Sequence, residues 1–125
     1  IGHPDFISAM EKVRQPFNIN SIAQSGALAA LDDEEHLNAT RKTNTEGLKF
    51  FESVCSDLGV EFVPSYANFI LIKVGDGVRV FEYLQKCGVI SRPMAGYGLP
   101  EWIRLSIGTS NENIRSASVL KSALI

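Results

Sequence analysis

The sequence predicts an α+β fold, a small mixed or antiparallel sheet packed by helices within one domain spanning residues 1–125. Three observations point to it. Short β-prone runs at Val60–Val63, Phe69–Ile72, Val89–Ser91 and Trp102–Ile107 are bounded by glycine, proline and other turn residues. Longer stretches around them carry apolar residues at helical spacing. The order reads α-α-α-β-β-α-β-β-α, with hairpin-like strand pairs flanking one crossover helix rather than strict alternation.

Each element has a local reason. Pro4 suits a first helical turn and Asp5 its positive end, so Phe6, Met10 and Val13 mark one face of a helix over about Asp5–Val13. Gln15-Pro16 ends it, because the residue before proline avoids the helical region, and Phe17-Asn18-Ile19-Asn20 is extended. Asn20 or Ser21 caps a second helix, Ser21 to Leu31, with Gln24 near the capping-box position. That helix is rich in small residues, and residues 1–31 read as a helical segment facing a domain outside this sequence. Asp32-Asp33-Glu34-Glu35 opens a long helix to about Leu58, polar in its first half and apolar at Leu48, Phe51, Cys55 and Leu58. Gly59 is its C′ residue. In residues 59–125, Asp76-Gly77 makes a turn before a helix that ends ahead of Gly88, and Pro93 stops the Val89–Ser91 strand from pairing further. Ala95-Gly96-Tyr97-Gly98-Leu99-Pro100 is a loop in which two glycines can take positive φ. Trp102–Ile107 alternates, with Trp102, Arg104 and Ser106 on one face and Ile103, Leu105 and Ile107 on the other. Thr109-Ser110-Asn111 caps a last helix to about Leu124.

Composition narrows the function. Apolar residues make up 45% and charged residues 21%, as in an ordinary globular protein, and a net charge of −2 argues against a nucleic-acid partner. No apolar run approaches the ~20 residues that span a bilayer. Cys55 and Cys87 form no CxxC and join no histidine cluster, so they read as small buried apolar groups in a reducing, cytoplasmic setting, with no metal site. The start, Ile1-Gly2-His3-Pro4, lacks an initiator methionine and targeting character and reads as a cut into a longer protein.

Arg104 is the first candidate for chemistry. It sits mid-strand, where a guanidinium is well placed to take a planar carboxylate two-pronged. Arg92 lies at the other end of the glycine loop, and two arginines there suit a ligand with anionic groups. Either also reads as an ordinary strand or rim arginine with an acidic partner. His3 and His36 read as solvated, and Arg14 as an ion-pair or interface residue. Asn68 ties a turn or reaches a ligand.

Three segments, in order, carry a resemblance: Val13-Arg14-Gln15-Pro16-Phe17-Asn18-Ile19-Asn20, Pro64-Ser65-Tyr66-Ala67-Asn68-Phe69-Ile70-Leu71, and Arg92-Pro93 through Tyr97-Gly98-Leu99-Pro100 to Ile103-Arg104 and Ile107-Gly108-Thr109. Together they resemble the C-terminal small domain of histidinol-phosphate aminotransferases, pyridoxal-phosphate (PLP) enzymes of fold type I. The resemblance implies that Arg104 binds the substrate carboxylate and that Arg92 faces the side-chain pocket, where a phosphate ester needs a cation. It places Tyr97 on the loop edging that pocket and Asn18 near the active-site mouth. It implies a homodimeric parent that exchanges an amino group between histidinol phosphate and 2-oxoglutarate.

The PLP-binding lysine of that family lies upstream of this region. Lys12, Lys42, Lys49, Lys73, Lys86 and Lys121 all fall on expected helices or a strand with no phosphate-cradling loop beside them, and Ser118-Val119-Leu120-Lys121 is a chance S-x-x-K spacing. The expectation is therefore a segment that carries no catalytic or cofactor-binding residue, binds no PLP and is inactive alone. Another class I/II aminotransferase or a phosphothreonine decarboxylase-like enzyme shares these motifs. A self-standing carboxylate- or phosphate-sensing module is the alternative from a different class, and a purely structural interaction domain is a third.

Overall fold

The structure, a computed structural model, describes residues 2–14 and 19–124. Two compact units divide it, Ile1–Glu35 and His36–Ile125.

The first unit holds helices α1 (Pro4–Glu11) and α2 (Ser21–Leu31). Pro4 occupies the first turn of α1 as expected, but the helix stops at Glu11 rather than Val13. There the amides of Lys12 and Val13 bond back three residues, to Ala9 and Met10, and tighten the end out of α-geometry. Asn20, not Ser21, caps α2: its Oδ1 accepts the Ala23 amide at 2.9 Å, and Gln24 donates its side-chain amide to the Ile19 carbonyl at 2.9 Å. Neither helix has a buried residue.

The second unit is built on a four-stranded antiparallel sheet of β1 (Phe62–Val63), β2 (Phe69–Lys73), β3 (Arg92–Pro93) and β4 (Trp102–Ser106), in the order β1-β2-β4-β3. Helices α3 (Glu34–Leu58), α4 (Gly77–Lys86) and α5 (Ser110–Leu124) supply its core partners. Ile70 and Ile72 of β2 and Ile103 and Leu105 of β4 are buried on one face, in a single cluster with Phe51 and Cys55 of α3, Val80 and Leu84 of α4 and Leu120 of α5. The α+β expectation holds. The apolar half of α3 enters this core through Leu48, Phe51 and Cys55, with Leu58 half-buried. Burial pushes the Cys55 thiol up to about 11, helped by the nearby Glu52 charge, so it stays protonated and packs as an apolar group.

One strand is shorter than the sequence suggests, and the strand expected at Val89–Ser91 forms instead at Arg92–Pro93, for one physical reason. After α3, Gly59 takes φ 67° while its amide bonds to Ser56 and the Val60 amide bonds to Cys55. After α4, Gly88 and Val89 repeat the arrangement onto Gln85 and Leu84. Both are Schellman closures, in which the residue after the glycine spends its amide on the helix and packs its side chain against it. Val60 and Val89 therefore finish helices, and pairing starts later, at Phe62 and Arg92. Pro93 does not stop the pairing; it is part of β3, opposite Ile103. The Met94 amide donates to the Trp102 carbonyl, so the next pair along, Pro93–Ile103, is one whose amides point away from the partner strand. A proline there loses no ladder bond. Asp76 likewise does more than turn the chain: its Oδ1 accepts the Arg79 amide at 3.0 Å and caps α4.

The start of α5 is clamped twice. Glu112 Oε2 accepts both the amide and the hydroxyl of Thr109 at 2.7 Å, and buried Asn113 bonds both the amide and the carbonyl of Gly108, at 2.9 and 3.0 Å. Gly47 of α3 lies directly against this clamp. A Cβ added there would collide with the Ile107 side chain and stand 2.8 Å from Asn113 Nδ2.

Gly47→Ala is therefore expected to lower unfolding free energy by about 1–2 kcal/mol in a urea titration, because overpacking outweighs the helix-propensity gain. The hydrogen bonds from Thr109 hold the Glu112 carboxyl below its ordinary value of 4.5. A lowered folded-state pKa contributes stability that is present above pH 4.5 and lost as pH falls through the lowered value. Hydrogen-exchange protection factors at the first turn of α5, referred to the intrinsic rate at each pH, should fall on acidification below pH 4.5, and Glu112→Gln should remove that dependence.

Candidate anion-binding face

The antiparallel register decides what the second face of the sheet presents. Val63 pairs with Leu71, Leu71 with Arg104 and Arg104 with Arg92, so these four side chains form one row across all four strands. Phe69 pairs with Ser106 and Lys73 with Trp102 in the flanking rows of the same face. None of these residues is buried. Arg104 is half-buried and Arg92 exposed, and the two arginines occupy directly opposite positions on neighbouring strands.

Three other arginines have a partner, while Arg41 of α3 has none among the described residues. Arg14 pairs with Glu11 at 3.3 Å, Arg79 donates to the Ala123 carbonyl at 3.1 Å, and Arg115 donates to the Cys87 carbonyl at 3.0 Å. Among the described residues, Arg92 and Arg104 have neither a carboxylate nor a carbonyl partner. Like charges directly opposite on a sheet are destabilising, and here no acid separates them. Lys73, the other cation of this face, is held between Glu61 at 3.4 Å and Glu101 at 3.8 Å. The one contact recorded for the Arg104 guanidinium is aromatic: its Cζ lies 5.1 Å from the centroid of the Phe69 ring.

Tyr97 sits in a 3₁₀ turn, Ala95–Tyr97, at the end of the β3–β4 hairpin, beyond the Met94–Trp102 bond, and is largely exposed. Of the two loop glycines, Gly98 alone takes positive φ, at 76°. The register thus brings Arg92 and Arg104 together and places Tyr97 at the hairpin tip. Asn18 lies outside the described residues. Asn68 presents its backbone, not its side chain, to the fold: its carbonyl accepts the Ile107 amide at 2.9 Å. The turn before it is tied instead by Ser65, whose Oγ accepts the Ala67 amide, and by Asn44 of α3, which donates to the Ala67 carbonyl at 3.0 Å.

Two hollows adjoin the 64–68 turn. One, of about 410 Å³, is apolar and runs beside the row through Val63, Phe69 and Leu71. The other, of about 640 Å³, lies between α3 and the start of α5 and is lined by Asn44, Tyr66, Asn68, Thr109 and Glu112 among others. Within it Asn44 Oδ1 is buried without a hydrogen-bond partner. Sequence reasoning missed both Phe69 and Asn44, because their roles arise from pairings 23 or more residues away.

This face of the sheet thus carries two arginines without an acidic partner among the described residues and, beside the same row, an apolar hollow. The match to the family described as aminotransferase class I and II covers residues 1–119, and the chain belongs to that family. Histidinol-phosphate aminotransferase of Akkermansia muciniphila is 51% identical over 117 residues, which is 94% of this chain and 32% of that protein. Histidinol-phosphate aminotransferase 1 of Nitrosococcus oceani is 43% identical over 125 residues, 99% of this chain and 34% of that protein. The chain thus spans about a third of the length of these relatives. In fold it is similar to the histidinol-phosphate aminotransferase of Sinorhizobium meliloti solved in complex with pyridoxal 5′-phosphate (TM-score 0.85, 23% identity, covering 97% of this chain and 34% of that one). It is also similar to a Thermus thermophilus aspartate aminotransferase variant complexed with tryptophan (TM-score 0.78, 27% identity, 99% and 35%).

If the opposed arginines are kept at a cost, Arg92→Thr should stabilise the fold. The expected gain is about 0.2–1 kcal/mol in urea unfolding at low ionic strength, shrinking as salt screens the repulsion.

Proposed function

We propose that this chain is the substrate-binding small domain of a PLP-dependent aminotransferase that exchanges an amino group between histidinol phosphate and 2-oxoglutarate, in histidine biosynthesis. The observation that carries the reading is the pair Arg104–Arg92, two cations on adjacent strands with no acid of their own among the described residues. The names of the relatives supply the substrate class. The two partners of that reaction differ in charge: histidinol phosphate brings a phosphate ester and no carboxylate, and 2-oxoglutarate brings two carboxylates. A pair of permanent cations, one rigid in mid-sheet and one at the edge, can serve both in turn.

Arg104 takes the carboxylate bound nearest the reacting carbon, because a guanidinium fork fixes both position and orientation of a planar group. Arg92, more exposed, meets the distal anion, phosphate or carboxylate. Tyr97 and Asn18 edge the same pocket in this reading.

PLP supplies the electron sink when bound, and the described residues do not make a place for it. Lys73, the lysine on the arginine face, is tied to Glu61 and Glu101, and in the Gly75-Asp76-Gly77 loop that follows it the start of α4 is already capped by Asp76. The lysine and the phosphate cradle belong to the remaining two-thirds of a protein of the relatives' length. This chain alone is accordingly inactive and binds no PLP. In the whole enzyme it works against the larger domain, as part of a homodimer in the cytoplasm. The exposed apolar residues of α1 and α2, such as Phe6, Ile22 and Leu31, are surface for that domain. No helix among the described residues is long and apolar enough to cross a membrane.

Arg104→Lys in the full-length enzyme keeps the charge and loses the fork. It should reduce kcat/KM for 2-oxoglutarate by roughly 10- to 150-fold, the equivalent of a charge-assisted bond of about 1.5–3 kcal/mol. Turnover near the wild-type value would remove Arg104 from the site. Tight binding of a carboxylate or phosphate ligand to residues 1–125 alone, read by calorimetry, would favour a self-standing sensor instead.

A further inference from the structure

We propose that Phe69 is the positioning residue of the anion site, its ring holding the Arg104 guanidinium ready for a carboxylate without occupying the N–H donors the carboxylate needs. The inference rests on the reading that Arg104 binds a carboxylate.

An arginine that must receive a ligand faces two opposed demands. It has to be held still, or binding costs the rotamer freedom of a long side chain. It also has to keep its in-plane donors open, and an acidic partner would fill them and cancel the charge. A π face answers both, because a ring attracts the cation through its flat side and leaves the edges of the guanidinium free. The distance of 5.1 Å between Arg104 Cζ and the Phe69 centroid lies within the range of that attraction.

The placement follows from the register. Leu71 stands opposite Arg104 and Phe69 opposite Ser106, so Phe69 is the diagonal neighbour of Arg104 across β2 and β4, within reach of a long side chain. Phe69 is half-buried at the start of β2, and the preceding residue, Asn68, receives the Ile107 amide at 2.9 Å. Arg92 has no ring contact recorded, and it is the more exposed of the two arginines.

The test uses the PLP-loaded full-length enzyme and succinate, an unreactive dicarboxylate, with Phe69→Leu, Phe69→Tyr and Arg104→Lys beside the wild type. Phe69→Leu should raise the succinate Kd and the KM for 2-oxoglutarate roughly three- to tenfold, with kcat at saturation nearly unchanged. Phe69→Tyr should restore both. The Arg104 Nε–H proton of the wild type should be shifted upfield by the ring, a readout that needs no variant and stands even if Phe69→Leu fails to fold. Wild-type succinate affinity in Phe69→Leu, equal losses in the Leu and Tyr variants, or an unshifted Nε–H proton would each overturn the proposal while Arg104→Lys still binds poorly. Wild-type affinity in Arg104→Lys would instead sink the carboxylate reading, and this inference with it.

Discussion

The pairing of β2 with β4 is the constraint on which the rest of the second unit depends. It is the longest ladder of the sheet, five residue pairs from Phe69–Ser106 to Lys73–Trp102. Because side chains alternate with a period of two, this register sends Ile70, Ile72, Ile103 and Leu105 into the core and Phe69, Leu71, Arg104 and Trp102 to the opposite face. A slip of one residue would bury a guanidinium and expose isoleucines, at a cost far beyond the usual stability margin. The position of Arg104 is thus fixed by the same burial that holds the domain together.

The arginine face shows how a stable scaffold can tolerate a locally unfavourable arrangement. Elsewhere in the chain arginines settle onto carbonyls at helix ends or onto a nearby acid, as Arg79, Arg115 and Arg14 do. Arg41 of α3 has no such partner either, but Arg92 and Arg104 are also cross-strand neighbours, without a counter-charge among the described residues. In the proposed reading, an anion bound between them relieves this repulsion. The fold carries this because the other face of the same strands is closed by Phe51, Leu84 and Leu120. Lys73 marks the contrast, held between two glutamates on the same face.

The two units differ in how much of themselves they bury. In Ile1–Glu35, both helices are well capped yet have no buried side chain, and apolar residues such as Val13, Ile22 and Leu31 are among the most exposed of the chain. Caps and propensity are enough to define short helices locally, whereas lasting stability needs an apolar face covered. His36–Ile125 has that cover in its own core.

Local chemistry made much of this legible in the sequence. The element order, the α+β class, the bounds of α2 and α5, the alternation of β4 and the C′ role of Gly59 all follow from capping residues, glycine and side-chain periodicity, which act over a few residues. The same local reasoning overextended the first strand at Val60 and placed the third at Val89–Ser91 instead of Arg92–Pro93, since a residue's amide can serve a strand or close the previous helix, and the Schellman geometry decides between them. It also misjudged Pro93, whose missing donor is harmless at one register position and costly at the next. The sequence singled out Arg92 and Arg104 as candidates by residue type and resemblance. That they stand opposite each other, lack an acidic partner, and that Phe69 lies against Arg104 were decided by tertiary structure. Those facts depend on which strands pair and in what register, and that is set by the burial of a core assembled from residues far apart in the chain.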